Sequence, residues 1–268
     1  MQPYRNCDVK RRLPGCIIIG TPKSGTKALI EFIGAHPDVE IAQGEAKFFN
    51  RNDNYYKGYQ HYLKKMPLSC PDQITLEKSP EYFYSRVAPY RIHKMNHSIK
   101  LIIIVKDPVQ RAISDYIHRR TTFSGRKETN YTFEELVYDN STKKLRTQYL
   151  PVIRSIYYRY ILNWLTYFSP NQIHVADGNN LIVEPQDELS KVQDFLGLER
   201  LITKDSFVYN STKGYYCLWT HSSTQCLAPC KGHKNHSVSP ELVNKLNLYF
   251  KPYNELFFNI INKRLSWS

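Results

Sequence analysis

The sequence has no run of 18 or more apolar residues, so no segment reads as a helix that crosses a membrane. Its start, Met1 to Arg12, is polar and charged and does not read as a secretory signal. None of the six cysteines forms a CxxC pair. Cys226 and Cys230 stand in CxxxC spacing, but no second pair or histidine partner completes a zinc site. There is no GxxxxGK[ST] phosphate loop and no kinase glycine-rich loop, which argues against the common nucleotide kinases. No nucleic-acid-binding signature, internal repeat, low-complexity tract or clear domain linker is visible.

What the sequence does have is positive charge, apolar mass and tyrosine. The 268 residues carry a formal net charge of +13 with 41% hydrophobic residues. That length and composition suit one sizeable folded domain, and the charge attracts polyanions. Tyrosine, at 21 residues, offers an apolar ring with a polar tip, suited to core edges and to a wet binding cleft. Five sequons (Asn96-His-Ser98, Asn130-Tyr-Thr132, Asn140-Ser-Thr142, Asn210-Ser-Thr212 and Asn235-His-Ser237) favour passage through the secretory pathway. In that setting Cys217 and Cys226 can staple a hairpin.

The apolar pattern predicts a buried parallel strand at Cys16–Gly20 and a second at 100–105. A helix follows each. The first carries Ala28, Leu29, Phe32 and Ile33 and ends at His36-Pro37. The second is capped by Asp107 with Pro108 in its first position. Further helices are expected over 153–165, over 185–196 with Gly197 as the stop, and around 242–250. A third strand is expected at 172–177. Strands alternating with helices indicate an α/β fold with a central parallel sheet flanked by helices. The segment 119–150 is rich in Arg and Lys and reads as a basic loop region, either over an acceptor cleft or simply solvated.

The most informative stretch is Gly20-Thr-Pro-Lys-Ser-Gly-Thr-Lys27, set directly between strand and helix. Free backbone N–H groups at a helix N-terminus bind anions. Lys23 adds a point charge and Thr26 a hydroxyl. The order is not that of a Walker loop, because the lysine precedes the second glycine.

Pro-Lys-Ser-Gly-Thr26 after a strand resembles the 5′-phosphosulfate loop of sulfotransferases that use PAPS (3′-phosphoadenosine 5′-phosphosulfate). Almost the whole chain, Leu13 to Trp267, resembles the heparan sulfate glucosaminyl 3-O-sulfotransferases. The likeness rests on Gly25-Thr-Lys-Ala-Leu29, Glu77-Lys-Ser-Pro80 with Tyr82-Phe83, Arg111-Ala-Ile-Ser-Asp-Tyr116, Lys213-Gly-Tyr-Tyr-Cys217 and Leu265-Ser-Trp267. The resemblance implies a P-loop-kinase-like sulfotransferase fold, with residues 1–12 as an extension and 13–268 as the catalytic domain. It implies PAPS as donor, PAP as product and no metal in the chemistry. Heparan sulfate or a related acidic glycan is the expected partner, with no nucleic acid and no stable protein partner. It further implies a Golgi-lumen or secreted setting, with any membrane anchor outside this chain, and a disulfide between Cys217 and Cys226.

Carried over residue by residue, Lys23, Ser24, Gly25, Thr26 and Lys27 would cradle the 5′-phosphosulfate. Lys106 and Ser114 would hold the 3′-phosphate, and Lys231, Gly232 and His233 would fold over the cofactor. Glu45 stands at the position of the family's general base. Lys23 would neutralise the leaving phosphate, and Lys78 would bracket the sulfuryl group. Where the family usually reads Glu-x-His-Phe-Phe-Asp, this chain has Lys47 and Asn50, both expected against the acceptor. That departure leaves two other readings open: N-sulfotransfer to glucosamine, or a non-catalytic heparan-sulfate-binding protein on the same scaffold.

Overall fold

The structure is a computed structural model that describes residues 7–122, 130–212, 214–220, 223–226 and 238–267. The chain divides into two units, Met1–Val105 with Asn163–Leu227, and Lys106–Leu162 with Ala228–Ser268.

The described strands, in chain order, are β1 (Lys10–Arg11), β2 (Cys16–Gly20), β3 (Val39–Ile41), β4 (Leu68–Ser69), β5 (Ile74–Lys78), β6 (Lys100–Val105), β7 (Tyr138–Asp139), β8 (Lys144–Leu145), β9 (Ile173–Asp177), β10 (Phe207–Asn210), β11 (Tyr215–Thr220) and β12 (Ser223–Gln225). The first unit is built on a five-stranded sheet in the order β3-β5-β2-β6-β9, with every pairing parallel. The β2 strand is central and wholly buried, as expected for a near-continuous apolar run covered on both faces. The helix Thr26–Ile33 lays Leu29, Ile30, Phe32 and Ile33 against the sheet, where they join Ile18, Leu76, Ile104, Leu189 and Val192 in one core. The helix Pro185–Leu196 contributes the last two of these and ends at Gly197, with φ of 78°, as its sequence indicates.

The β3 and β5 strands were not legible as apolar runs. Ile74-Thr-Leu-Glu-Lys78 buries Thr75 and Glu77, so its hydrophobicity is broken. Thr75 is satisfied by Ser69 Oγ at 2.9 Å. Residues 10–11 pair with β4, and the disulfide Cys7–Cys70 ties the same two stretches together. The antiparallel sheet β10-β11-β12 carries the disulfide Cys217–Cys226.

The second unit is helical. The helix Pro108–Thr122 starts on Asp107, whose Oδ1 accepts from Gln110 N–H at 2.7 Å. Its apolar stripe, Val109, Ala112 and Tyr116, packs with Phe133, Val152, Leu242, Leu246 and Phe250. Arg111 is fully buried on this helix. It is held by Asp115 at 3.1 Å, by Ser155 Oγ at 2.8 Å and by the Pro151 carbonyl. The single helix expected over 153–165 is two, Leu150–Arg154 and Tyr157–Leu165. The break falls at Ser155, whose hydroxyl donates to Pro151 O at 3.0 Å. The described part of the basic stretch holds more regular structure than the loop expected. It holds the helix to Thr122, a Thr132–Glu135 capping box and the β7-β8 hairpin.

Gly178 follows β9 where the backbone is crowded. A Cβ there would sit 2.2 Å from Ser24 O and 3.0 Å from Val105 O. Gly178→Ala is expected to cost about 1–3 kcal/mol through overpacking. Thermal unfolding should show this as a midpoint several degrees lower.

Candidate active site

The loop Gly20–Lys27 leaves β2 at the carboxyl end of the sheet and enters the helix at Thr26. Thr21 fixes its start. Its N–H and its hydroxyl both donate to Ile104 O, at 2.8 and 3.1 Å. The Thr21 hydroxyl proton is thereby committed, so at 2.6 Å the Ser24 hydroxyl donates to Thr21 Oγ1. Lys23 and Gly25 both lie in the left-handed region, at φ of 75° and 108°. Gly25 has no Cβ to oppose this, whereas Lys23 does, and such conformations gather at functional sites. The loop is thus a fixed curl that opens on the first N–H groups of a helix, which have no intrahelical acceptors. The Lys27 side chain is exposed and its ammonium is 3.6 Å from Glu31.

The neighbouring strand brings the second group. In the register, Lys78 of β5 lies beside Ile18 of β2, so Lys78 and the Gly20–Lys27 loop occupy the same end of the sheet. The nearly buried Lys78 ammonium donates to Glu45 Oε1 at 2.9 Å, and Lys47 Nζ stands 3.5 Å from Glu45 Oε2. Each carboxylate oxygen meets one ammonium and keeps lone-pair capacity for a further proton. Lys47 is itself in the left-handed region, at φ of 49°. It is held at both ends: its N–H donates to Ser79 Oγ at 3.0 Å, and its carbonyl accepts from Asn54 Nδ2 at 3.0 Å. Asn50 Oδ1 is buried without a hydrogen-bond partner among the described residues.

The Glu45 segment rests on groups whose supporting role was not legible in the sequence. Ala46 N–H donates to Glu77 Oε1 at 3.4 Å, and Phe48 N–H donates to Tyr82 Oη at 2.9 Å. Ser79 donates to Glu77 Oε1 at 2.5 Å and Tyr62 donates to Oε2 at 3.2 Å. Phe48 stacks on Tyr62 with centroids 4.6 Å apart. Glu77 and Lys78 are adjacent in a strand and therefore point to opposite faces. Full burial pushes the Glu77 carboxyl up to about 7.

Lys106 follows β6 directly, and Tyr157 O–H donates to its carbonyl at 2.8 Å. Ser114 is half-buried on the helix Pro108–Thr122. Lys231, Gly232 and His233 lie outside the described residues. Among the described residues, no group of three or more His, Cys, Asp or Glu side chains is placed to hold a metal ion.

A curl that opens on a helix N-terminus at the end of a parallel sheet, with a carboxylate and lysines beside it, is a layout that suits group transfer. Residues 13–266 match the sulfotransferase domain family, and the chain belongs to it. Within that class it belongs with the heparan sulfate glucosamine 3-O-sulfotransferases. Heparan sulfate glucosamine 3-O-sulfotransferase 5, of Mus musculus and of Homo sapiens, is 44% identical over 261 residues, which cover 97% of this chain and 75% of the relative. Heparan sulfate glucosamine 3-O-sulfotransferase 3B1 of Homo sapiens is 41% identical, over 96% of this chain and 65% of the relative. Among solved structures, a sulfotransferase from Alicyclobacillus acidocaldarius superposes with a TM-score of 0.68 at 19% identity. The match covers 95% of this chain and 98% of that one, and it shows the shared fold.

Lys47→Gly removes an ammonium and also relieves a left-handed backbone. It is expected to leave stability unchanged or raise it by up to about 1 kcal/mol, because glycine adopts that conformation freely. Urea unfolding measures this directly.

Proposed function

We propose that this chain transfers a sulfuryl group from PAPS to the 3-hydroxyl of a glucosamine residue in heparan sulfate, with Glu45 as general base. The observation that carries the reading is the Lys78–Glu45 pair at the same sheet end as the anion loop. The fixed curl with Lys23 and the first turn of the helix suits the 5′-phosphosulfate of PAPS. When bound, PAPS supplies the sulfuryl group, and PAP leaves with the bridging oxygen.

In this reading Glu45 takes the acceptor hydroxyl proton as the new O–S bond forms. Lys23 faces the negative charge that develops on the departing phosphate oxygen, where the electrons of the broken S–O bond end. Lys78 holds Glu45 in place and adds a second cation beside the transferring group. Lys47 and Asn50 face the acceptor. Lys106 and Ser114 bind the 3′-phosphate, with Lys231, Gly232 and His233 closing over the nucleotide. No metal is called on. The relatives' names support the hydroxyl as acceptor over the nitrogen, and a catalyst over a pure binder.

The net charge of +13 suits a polyanionic glycan. Two disulfides suit an oxidising compartment, which supports a Golgi-lumen or secreted setting. Among the described residues, no helix is long and apolar enough to cross a membrane.

Two substitutions separate chemistry from binding. Glu45→Gln is expected to lower turnover with PAPS and heparan sulfate at least about a hundredfold, the range for loss of a general base. Its PAP affinity by calorimetry should match that of the parent; undiminished turnover would remove Glu45 from the chemistry. Lys23→Ala is expected to weaken PAP binding about tenfold or more, through loss of a charged contact. Unchanged affinity would refute the loop assignment.

A further inference from the structure

Glu77 is an ionisable group with no part in the chemistry proposed above. Glu77 is 1% exposed, lies directly beneath the Glu45 segment, and is surrounded by hydroxyls and a backbone amide. The direction of each hydrogen bond around it can be read. Lys47 N–H donates to Ser79 Oγ, so the Ser79 proton is free to donate onward to Glu77 Oε1. Tyr62 O–H donates to Oε2, and Ala46 N–H donates to Oε1. Tyr82 adds a further side-chain hydrogen bond to the same group. These donors point at a carboxylate that only accepts, and protonation turns one of its acceptor sites into a donor, so the bonds around it must rearrange.

The same support continues along the chain. The Ser79 N–H donates to Ile18 O of β2 at 3.2 Å, and Phe48 N–H donates to Tyr82 Oη. Three successive amides, those of Ala46, Lys47 and Phe48, thus hang on Glu77, Ser79 and Tyr82. On the other side of the segment, Lys65 Nζ donates to Ala46 O at 3.1 Å.

We propose that Glu77 is a positioning residue for the sulfuryl transfer, whose ionised carboxylate orients Ser79 and the Ala46–Phe48 backbone, and through them the Glu45 and Lys47 side chains. The inference rests on the functional reading above and extends it to a device that responds to protons. The groups facing Glu77 are Tyr62, from the helix Gly58–Leu63, and Tyr82, from the turn Pro80–Tyr84. Both phenols are pushed well above their usual value by burial and stay neutral near pH 7. Lys65 is the cation bonded to the Ala46 carbonyl, and Lys78, the residue after Glu77, points to Glu45. The Glu77 carboxyl is raised to about 7 by burial. The oriented state is therefore present above that pH and lost as the pH falls through it.

The test does not depend on turnover. With the protein labelled in backbone nitrogen, the amide signals of Ala46, Lys47 and Phe48 are followed from pH 5.5 to 8.5 in the parent and in Glu77→Gln. The parent is expected to show the three amides moving together with a midpoint near 7. Glu77→Gln, which keeps an acceptor oxygen and loses the proton equilibrium, is expected to show no such midpoint. A midpoint that persists in Glu77→Gln, or parent amides that do not titrate, would overturn the assignment. If Glu77→Gln does not fold, Ser79→Ala cuts the link to Lys47 alone. Its Lys47 amide is then expected to stop titrating while that of Ala46 continues; a Lys47 amide that still titrates overturns the relay. In parallel, the parent kcat should fall several-fold from pH 8 to pH 6 with KM for PAPS nearly constant, and Glu77→Gln should be flat over that range. Absence of sulfuryl transfer in the parent would sink the functional reading, whereas the amide titration would still decide the role of Glu77.

Discussion

The parallel pairing of β2 with β5 is the constraint on which the candidate site depends. Parallel strands in register bring their carboxyl ends to one level. Here that places the exit of β2, which becomes the Gly20–Lys27 loop, beside Lys78. Lys78 in turn fixes Glu45 through an ammonium–carboxylate hydrogen bond of 2.9 Å. Ligands of open α/β sheets bind at the carboxyl ends of strands for this reason: backbone amides and strand-end side chains converge there without further folding. The Ser79 N–H bonded to Ile18 O extends the same linkage one residue past the strand.

The site is also where backbone strain is concentrated. Lys23 and Lys47 account for two of the four described non-glycine residues with positive φ. Each such residue is costly unless its surroundings over-determine it. Around Lys23 the restraint is the Thr21–Ser24 hydroxyl pair and the Ile104 carbonyl. Around Lys47 it is Ser79 and Asn54. Two lysines of the proposed site, one for the leaving phosphate and one for the acceptor, are thus presented by restrained backbone. This fits a catalyst that works by placing charge rather than by moving it.

Much of this was legible in the sequence, for physical reasons. An unbroken apolar run such as Ile17-Ile-Ile19 has few alternatives to a buried strand, and a Pro-Lys-Ser-Gly-Thr26 loop after it has a specific electrostatic logic. The β5 strand was harder to see, because two of its inward groups, Thr75 and Glu77, are polar and become tolerable only through partners distant in sequence. The resemblance marked Glu77 only as part of a motif, and its burial shows once the strand sends it and Lys78 to opposite faces. The break at Ser155 lies where its hydroxyl meets Arg111, 44 residues earlier, a partner that no local pattern reveals. The Cys7–Cys70 bridge spans 63 residues and has no local signature. The Cys217–Cys226 pair is only nine residues apart and was accessible through resemblance.

The most direct test of the central claim is to supply this protein with radiolabelled PAPS and heparan sulfate, digest the product and identify the labelled disaccharide. The account predicts label on the 3-oxygen of glucosamine. Label on the glucosamine nitrogen, or none on the glycan while PAP still binds, would contradict it.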